Sequence, residues 1–292
     1  MNDGNRHSLS TTTVTGLRLH EKAPSYSEIK LPVETHDLRP LRSGEVLVEI
    51  QAAAVNPSDA KAATGLMPYA VFPRTPGRDF AGRVIVGPQS LIGKRVFGSS
   101  GDLGIRQDGS HANRLIVEAD AVVEIPEGID IKAAAGIGVP FVTAWKGLER
   151  AGLPEAGETV LVLGLNGKVG QAAAQIATWR GARVIGVVRR GGSYEGHANG
   201  PVDVIAAEST DVPARVRGLT GGKGADIVYN TVGDPYYEIG QKSMAIRGRA
   251  IFIAAVDRCV KFDLLAFYKG QHTYVGIDTI SFSQALRRAL RQ

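Results

Sequence analysis

Three glycines, Gly164, Gly167 and Gly170, fall in the stretch Thr159–Val160–Leu161–Val162–Leu163–Gly164–Leu165–Asn166–Gly167–Lys168–Val169–Gly170, and an apolar helical pattern follows. A strand, a glycine turn and a helix start, in that order, suit one kind of chemistry. The glycines let the backbone turn tightly, approach a pyrophosphate and pack the helix on the strand, while free N–H groups at the helix N-terminus meet the phosphates. Nucleotide binding is expected. The spacing, G-x-x-G-x-x-G, is one residue longer than the usual dinucleotide fingerprint, so the strand–turn–helix context carries the reading. The other reading is a glycine turn in an α/β domain that binds nothing.

The next strand signal, Arg183–Val184–Ile185–Gly186–Val187–Val188, ends in Arg189 and Arg190. An acid at that place would accept a hydrogen bond from a ribose 2′-hydroxyl, whereas two arginines suit a 2′-phosphate through charge-assisted contacts. NADPH is therefore expected over NADH, with two solvated surface arginines as the alternative.

These residues need elements to position them. At 292 residues, with 43% hydrophobic and 22% charged residues, the chain fits a globular protein of two domains. Its first part alternates short strand signals with turns: Val14–Leu19, Glu45–Ala53, Phe80–Val86, Arg95–Gly98 and His111–Val117. That texture predicts a compact β-rich domain. From Lys132 onward helical patterns alternate with buried-strand runs, at Ala133–Leu148, Val160–Leu163, Val169–Arg180, Val184–Val188, Val202–Ile205, Ile227–Tyr229 and Ala250–Ala254. Such alternation predicts a parallel sheet covered by helices. The turn Pro126–Glu127–Gly128 marks the hand-over. The expected organisation is a flexible polar tail over 1–13, a first domain over 14–130, a second over 131–277 and a short C-terminal helix within 278–292.

Charge and cysteine content narrow the partners. Lys and Arg total 34 against 29 Asp and Glu, a net charge of +5, but the basic residues are dispersed, so no nucleic-acid partner is expected. The single cysteine, Cys259, permits no intrachain disulfide and reads as a small packing residue near the apolar run Ile251–Val256. Met1–Thr13 lacks an apolar signal core, and no run approaches the length of a membrane span, so a cytoplasmic protein without a membrane partner is expected.

Five motifs stand in order: Val55–Asn56–Pro57–Ser58–Asp59–Ala60–Lys61, Pro76–Gly77–Arg78–Asp79–Phe80–Ala81–Gly82–Arg83–Val84, Thr143–Ala144–Trp145, the glycine turn, and Asn230–Thr231–Val232–Gly233. On these, over nearly its whole length, the sequence resembles the medium-chain dehydrogenase/reductase superfamily, specifically its zinc-free quinone oxidoreductase (zeta-crystallin-like) branch. The resemblance implies an α/β protein: a GroES-like β-rich domain and a Rossmann domain with a doubly wound parallel sheet, the active cleft lying between them. It puts Asn56 near the nicotinamide and substrate and Thr143 near the nicotinamide ribose. Gly164, Asn166, Gly167, Lys168, Val169 and Gly170 would line the pyrophosphate, and Arg189 and Arg190 the 2′-phosphate. Asn230, after the fourth strand, and Ala254 and Ala255, after the fifth, would meet the nicotinamide end.

Metal-dependent alcohol dehydrogenases of this superfamily use Cys and His ligands with one position open. The matching places here hold Pro57–Ser58 and Arg78–Asp79, and His7, His20, His36, His111, His197 and His272 show no ligand spacing, so no zinc is expected. Without a Lewis acid, alcohol oxidation is disfavoured. Hydride transfer from NADPH to a quinone or an α,β-unsaturated carbonyl needs less help. Reducing an enone requires a hydrogen-bond donor for the developing enolate and a proton for the α-carbon. Tyr69 and Lys61 are the candidates, against a cleft-lining aromatic and a solvated amine respectively. Asp59 reads equally as a residue with a catalytic role or as the cap of a helix starting near Ala60.

Relatives return after the second domain to finish the first with a helix and a last strand, and this sequence is expected to stop too early for that, leaving an open sheet edge that a partner subunit covers unless the chain is truncated. The strand at Thr273–Ile277 is where relatives pair across a dimer, so a homodimer is expected. Three functions follow: an NADPH-dependent quinone or enone reductase; an enoyl-thioester reductase, with Arg74 and Arg78 at a pantetheine groove or else merely solvated; and a non-catalytic NADPH-binding module.

Overall fold

The computed structural model describes residues 13–99, 101–278 and 280. They form two compact units, one running to Val139 and taking in Ile280, the other starting at Pro140. The expected tail before Thr13 and the expected helix beyond Ile280 lie outside the described residues. No helix among the described residues is long and apolar enough to cross a membrane.

The first unit contains β1 (Thr13–Leu17), β2 (Val33–Asp37), β3 (Glu45–Ala54), α1 (Pro57–Ala63), β4 (Asp79–Val86), β5 (Arg95–Ser99), β6 (Arg114–Glu118), β7 (Val123–Glu124) and α2 (Ile131–Ala135). β1 and β2 form an antiparallel pair, and the others one antiparallel sheet in the order β6-β3-β4-β5-β7. Val46, Val48, Phe80, Val84, Val96, Leu115 and Val117 face one core, closed by Leu103 and Val122. The register brings Ala54, the last residue of β3, opposite Asp79, the first of β4. Asn56 and Asp79 are thereby neighbours.

From the junction onward come α3 (Gly138–Arg150), β8 (Thr159–Leu163), α4 (Lys168–Trp179), β9 (Arg183–Val188), β10 (Val202–Ala206), α5 (Val212–Leu219), β11 (Ala225–Asn230), α6 (Tyr237–Ser243), β12 (Met244–Phe252), α7 (Leu264–Gly270) and β13 (Thr273–Gly276). The six strands are parallel, in the order β10-β9-β8-β11-β12-β13. In chain order that is 3-2-1-4-5-6, the doubly wound arrangement, whose switch point lies between β8 and β11. Every residue of β8 is buried, which explains the apolar run Val160–Leu163: both faces of the strand are covered.

Several boundaries differ from expectation. The helix expected over Ala133–Leu148 is two helices, because Gly136 ends α2 and a second start at Gly138 admits Pro140 within its first turn. β12 begins at Met244 and has ended before Ala254. Cys259 is exposed rather than packed, since it lies in the irregular segment after β12, where Asp234 Oδ1 accepts from the Val256 and Asp257 N–H groups at 2.6 and 2.8 Å. The chain also returns: Ile280 is buried in the first unit, its backbone close against Gly101.

Candidate functional site

In the second unit the glycine turn is built by exclusion of side chains. Gly164 has φ +84°, and a Cβ there would lie 2.4 Å from Thr231 Oγ1; a Cβ on Gly170 would lie 2.3 Å from the Gly164 carbonyl oxygen. Only glycine fits either place. Gly167 caps α4 without any side-chain hydrogen bond, and Gly167 and Lys168 are exposed. The first N–H groups of a twelve-residue helix thus stand open at the C-terminal end of β8. Those features fit the pyrophosphate of a dinucleotide.

Around this turn the strand ends are tied together. Thr231 Oγ1 donates to the Leu163 carbonyl at 2.7 Å, joining the ends of β11 and β8. Asn230 ends β11 rather than following it, and its buried amide closes a turn: Oδ1 accepts from Val232 and Gly233 N–H, and Nδ2 donates to the Gly233 carbonyl. Gly233 (φ +99°) runs against Ala254 and Ala255, so the turn that Asn230 closes lies beside these two expected contacts. Asn166 Nδ2 donates to the Ser193 carbonyl and its Oδ1 accepts from Glu195 N–H, tying the loop after β9 to the glycine turn. Thr143, buried in α3, accepts the Tyr229 hydroxyl on its carbonyl at 2.7 Å. Burial drives the Tyr229 phenol well above its ordinary range. Arg189 and Arg190 follow β9 directly, and both meet Glu208, which sequence reading missed. No signal in the sequence marks it; the register of β9 on β10 brings it there.

The first unit holds a buried polar cluster. Asn56 begins α1, Pro57 fits its first position, and Asp59 Oδ2 accepts from Asn56 N–H at 2.7 Å. Asp59 is thus the third helical residue, reaching back to the cap, not the cap of a later helix. Its other oxygen, Oδ1, is buried without a hydrogen-bond partner. Burial raises the Asp59 carboxyl, against the pull of the Asn56 N–H and of His111, Arg78 and Arg74. Asp79 is fully buried; Oδ2 accepts from Asn56 Nδ2 at 2.9 Å, and both oxygens accept from Val139 N–H at 2.9 and 3.0 Å, which caps α3. Burial raises this carboxyl too.

Arg74 and Arg78 are not surface residues: 1% and 3% of their area is exposed. Arg74 donates to the Gly104 and Val71 carbonyls at 2.8 and 2.7 Å and stacks over Phe72, and burial lowers its guanidinium. Arg78 Nη1 donates to Ser58 Oγ at 3.2 Å. A guanidinium joined to Ser58 at the places matching metal ligands does not fit a zinc ion. Lys61 lies partly exposed in the last turn of α1, and the Tyr69 ring lies under the Arg106 guanidinium, 5.2 Å from its centroid.

The zinc-binding dehydrogenase family model matches residues 169–292, and the alcohol dehydrogenase GroES-like domain model matches residues 42–127. The chain is 36% identical to a zinc-type alcohol dehydrogenase-like protein of Schizosaccharomyces pombe, over 90% of this chain and 78% of that one. It is 30% identical to the quinone oxidoreductase of Homo sapiens, over 78% of this chain and 68% of that one. Among solved structures it is similar to an alcohol dehydrogenase superfamily protein from Novosphingobium aromaticivorans, with a TM-score of 0.78 and 30% identity, covering 96% of this chain and 85% of that one. The chain belongs to the medium-chain dehydrogenase/reductase superfamily. Within it the chain falls in the quinone oxidoreductase branch, an NAD(P)-dependent oxidoreductase.

Proposed function

We propose that this protein is an NADPH-dependent, zinc-independent reductase of quinones or α,β-unsaturated carbonyls. One observation carries the reading: the uncapped start of α4 at the sheet's switch point, followed at the end of the next strand by Arg189 and Arg190. When bound, the dinucleotide supplies a hydride, so that the acceptor gains two electrons and takes up one proton as the cofactor is oxidised. Gly164, Gly167 and Gly170 keep the turn free of side chains, and the N–H groups from Lys168 and Val169 onward bind the pyrophosphate. Arg189 and Arg190 bind the 2′-phosphate. Asn230 holds the turn that shapes the end of the sheet beside Ala254 and Ala255. Asn56, whose side-chain amide Asp79 holds, meets the substrate, while the proton comes from Tyr69, Lys61 or water. The Arg78–Ser58 pair supports zinc independence. A homodimer joined at β13 is part of the same reading, supported by that strand's place at the sheet edge and by exposed Leu264, Leu265 and Tyr268 on the neighbouring helix.

The test is a thermal-shift titration with NADPH and NADH, followed by NADPH oxidation with a quinone, an enone and an enoyl thioester in turn. A larger shift with NADPH and turnover of quinone or enone, unchanged after dialysis against chelator, is expected. Turnover with the thioester alone would make it an enoyl-thioester reductase, and binding without turnover a cofactor-binding module. No shift with either cofactor would sink the nucleotide site.

A further inference from the structure

Arg189 and Arg190 share one carboxylate. Arg189 Nε donates to Glu208 Oε1 at 2.8 Å, and Arg190 Nε donates to Glu208 Oε2 at 3.2 Å. The backbone dictates this meeting. β9 and β10 run parallel with Ala206 beside Val188, and pairing continues past the strands: Ala207 N–H donates to the Val188 carbonyl at 2.9 Å and Glu208 N–H to the Arg189 carbonyl at 3.1 Å. Position 208 is therefore held beside 189 and 190 whatever the rotamers. The side chains themselves are open, with 76% of each arginine and 47% of Glu208 exposed, so the ion pairs are weak and exchangeable.

In a doubly wound sheet the end of the second strand reads the ribose 2′ position, an acid favouring a hydroxyl and an arginine a phosphate. This chain puts both kinds of group there. Building on the reading of the glycine turn as an NADPH site, we infer that Glu208 sets the cofactor selectivity. It is an internal counter-charge that occupies the Nε–H groups of both arginines and cancels one of their two positive charges. A 2′-phosphate must displace it, whereas the 2′-hydroxyl of NADH finds in it an acceptor. Glu208 thus narrows the preference for NADPH and keeps NADH usable.

The experiment is calorimetric titration of the full chain with NADPH and NADH, for the wild type, Glu208→Gln and Glu238→Gln, the last making the same charge change on α6. Glu208→Gln should bind NADPH about fivefold tighter at low salt, as expected for losing one negative charge near a phosphate. Its affinity for NADH should not rise, and the gain should shrink as salt screens it. Glu238→Gln should leave the ratio of the two affinities unchanged. If the wild type binds cofactor but Glu208→Gln binds NADPH no tighter, or if Glu238→Gln gives the same gain, this inference falls while the cofactor site stands. If the wild type binds neither dinucleotide, both fall together.

Discussion

Carboxylates feel the charge of arginines in both units of this protein, buried and without a direct ion pair at Asp59 and Asp79 in the first, and exposed and directly paired at Glu208 in the second. In the first, both oxygens of Asp79 are committed, to the Asn56 amide and to the backbone that opens α3, and burial pushes the Asp59 and Asp79 carboxyls up and the Arg74 guanidinium down. Such groups cannot exchange partners without leaving a buried donor or charge unsatisfied. In the second, water solvates all three side chains of the Arg189–Glu208–Arg190 group, and a competing anion can replace the carboxylate. The same residue types fix structure where water is excluded and stay exchangeable where water is present. Glu45 stands between the two cases, a buried carboxylate gripped by both Nη groups of a partly exposed Arg39.

This contrast can be broken most sharply at Asp79. Asp79→Ala strands the Asn56 amide and the Val139 N–H, and should cost about 3–5 kcal/mol in urea denaturation. A loss no larger than that of an exposed acid would show that burial is not what distinguishes the two regions. Next in size is Gly170→Ala, whose Cβ would press on the Gly164 carbonyl. It should cost about 1–3 kcal/mol and abolish the thermal shift with NADPH. Replacing Arg189 and Arg190 together with alanine should leave stability within about 0.5 kcal/mol. That double variant should weaken NADPH binding about tenfold in calorimetry, through loss of charge-assisted contacts, with little change for NADH.

The smallest expected effect is one of pH. Hydrogen bonds from Arg39, aided by the Arg42 N–H, hold the Glu45 carboxyl down to about 2 from an ordinary 4.5. A depressed carboxyl stabilises the folded state above its unfolded value, and that stability is lost as pH falls from about 4.5 toward 2. Glu45→Gln should flatten this acid limb by about 1 kcal/mol, a figure reduced for the solvent around Arg39. An unchanged slope in acid denaturation would remove Glu45 from the comparison.

The glycine turn, the apolar strands β8 and β9, the parallel sheet and the superfamily were legible in the sequence alone. Their causes act over a few residues: glycine spacing meets local steric demands, and strand and helix periodicities show within one window. Tertiary structure alone decided the rest. Asp79 accepts from the backbone that opens α3 from 60 residues away, a partner no local pattern shows for the second of the two helices that follow Gly136. Arg74 and Arg78 read as surface charges until carbonyls and a serine distant in the chain enclosed them. Glu208 became the partner of Arg189 and Arg190 through the parallel register of β9 and β10. Burial, capping across elements and strand register depend on what folds alongside a residue, and a linear sequence does not contain those distances.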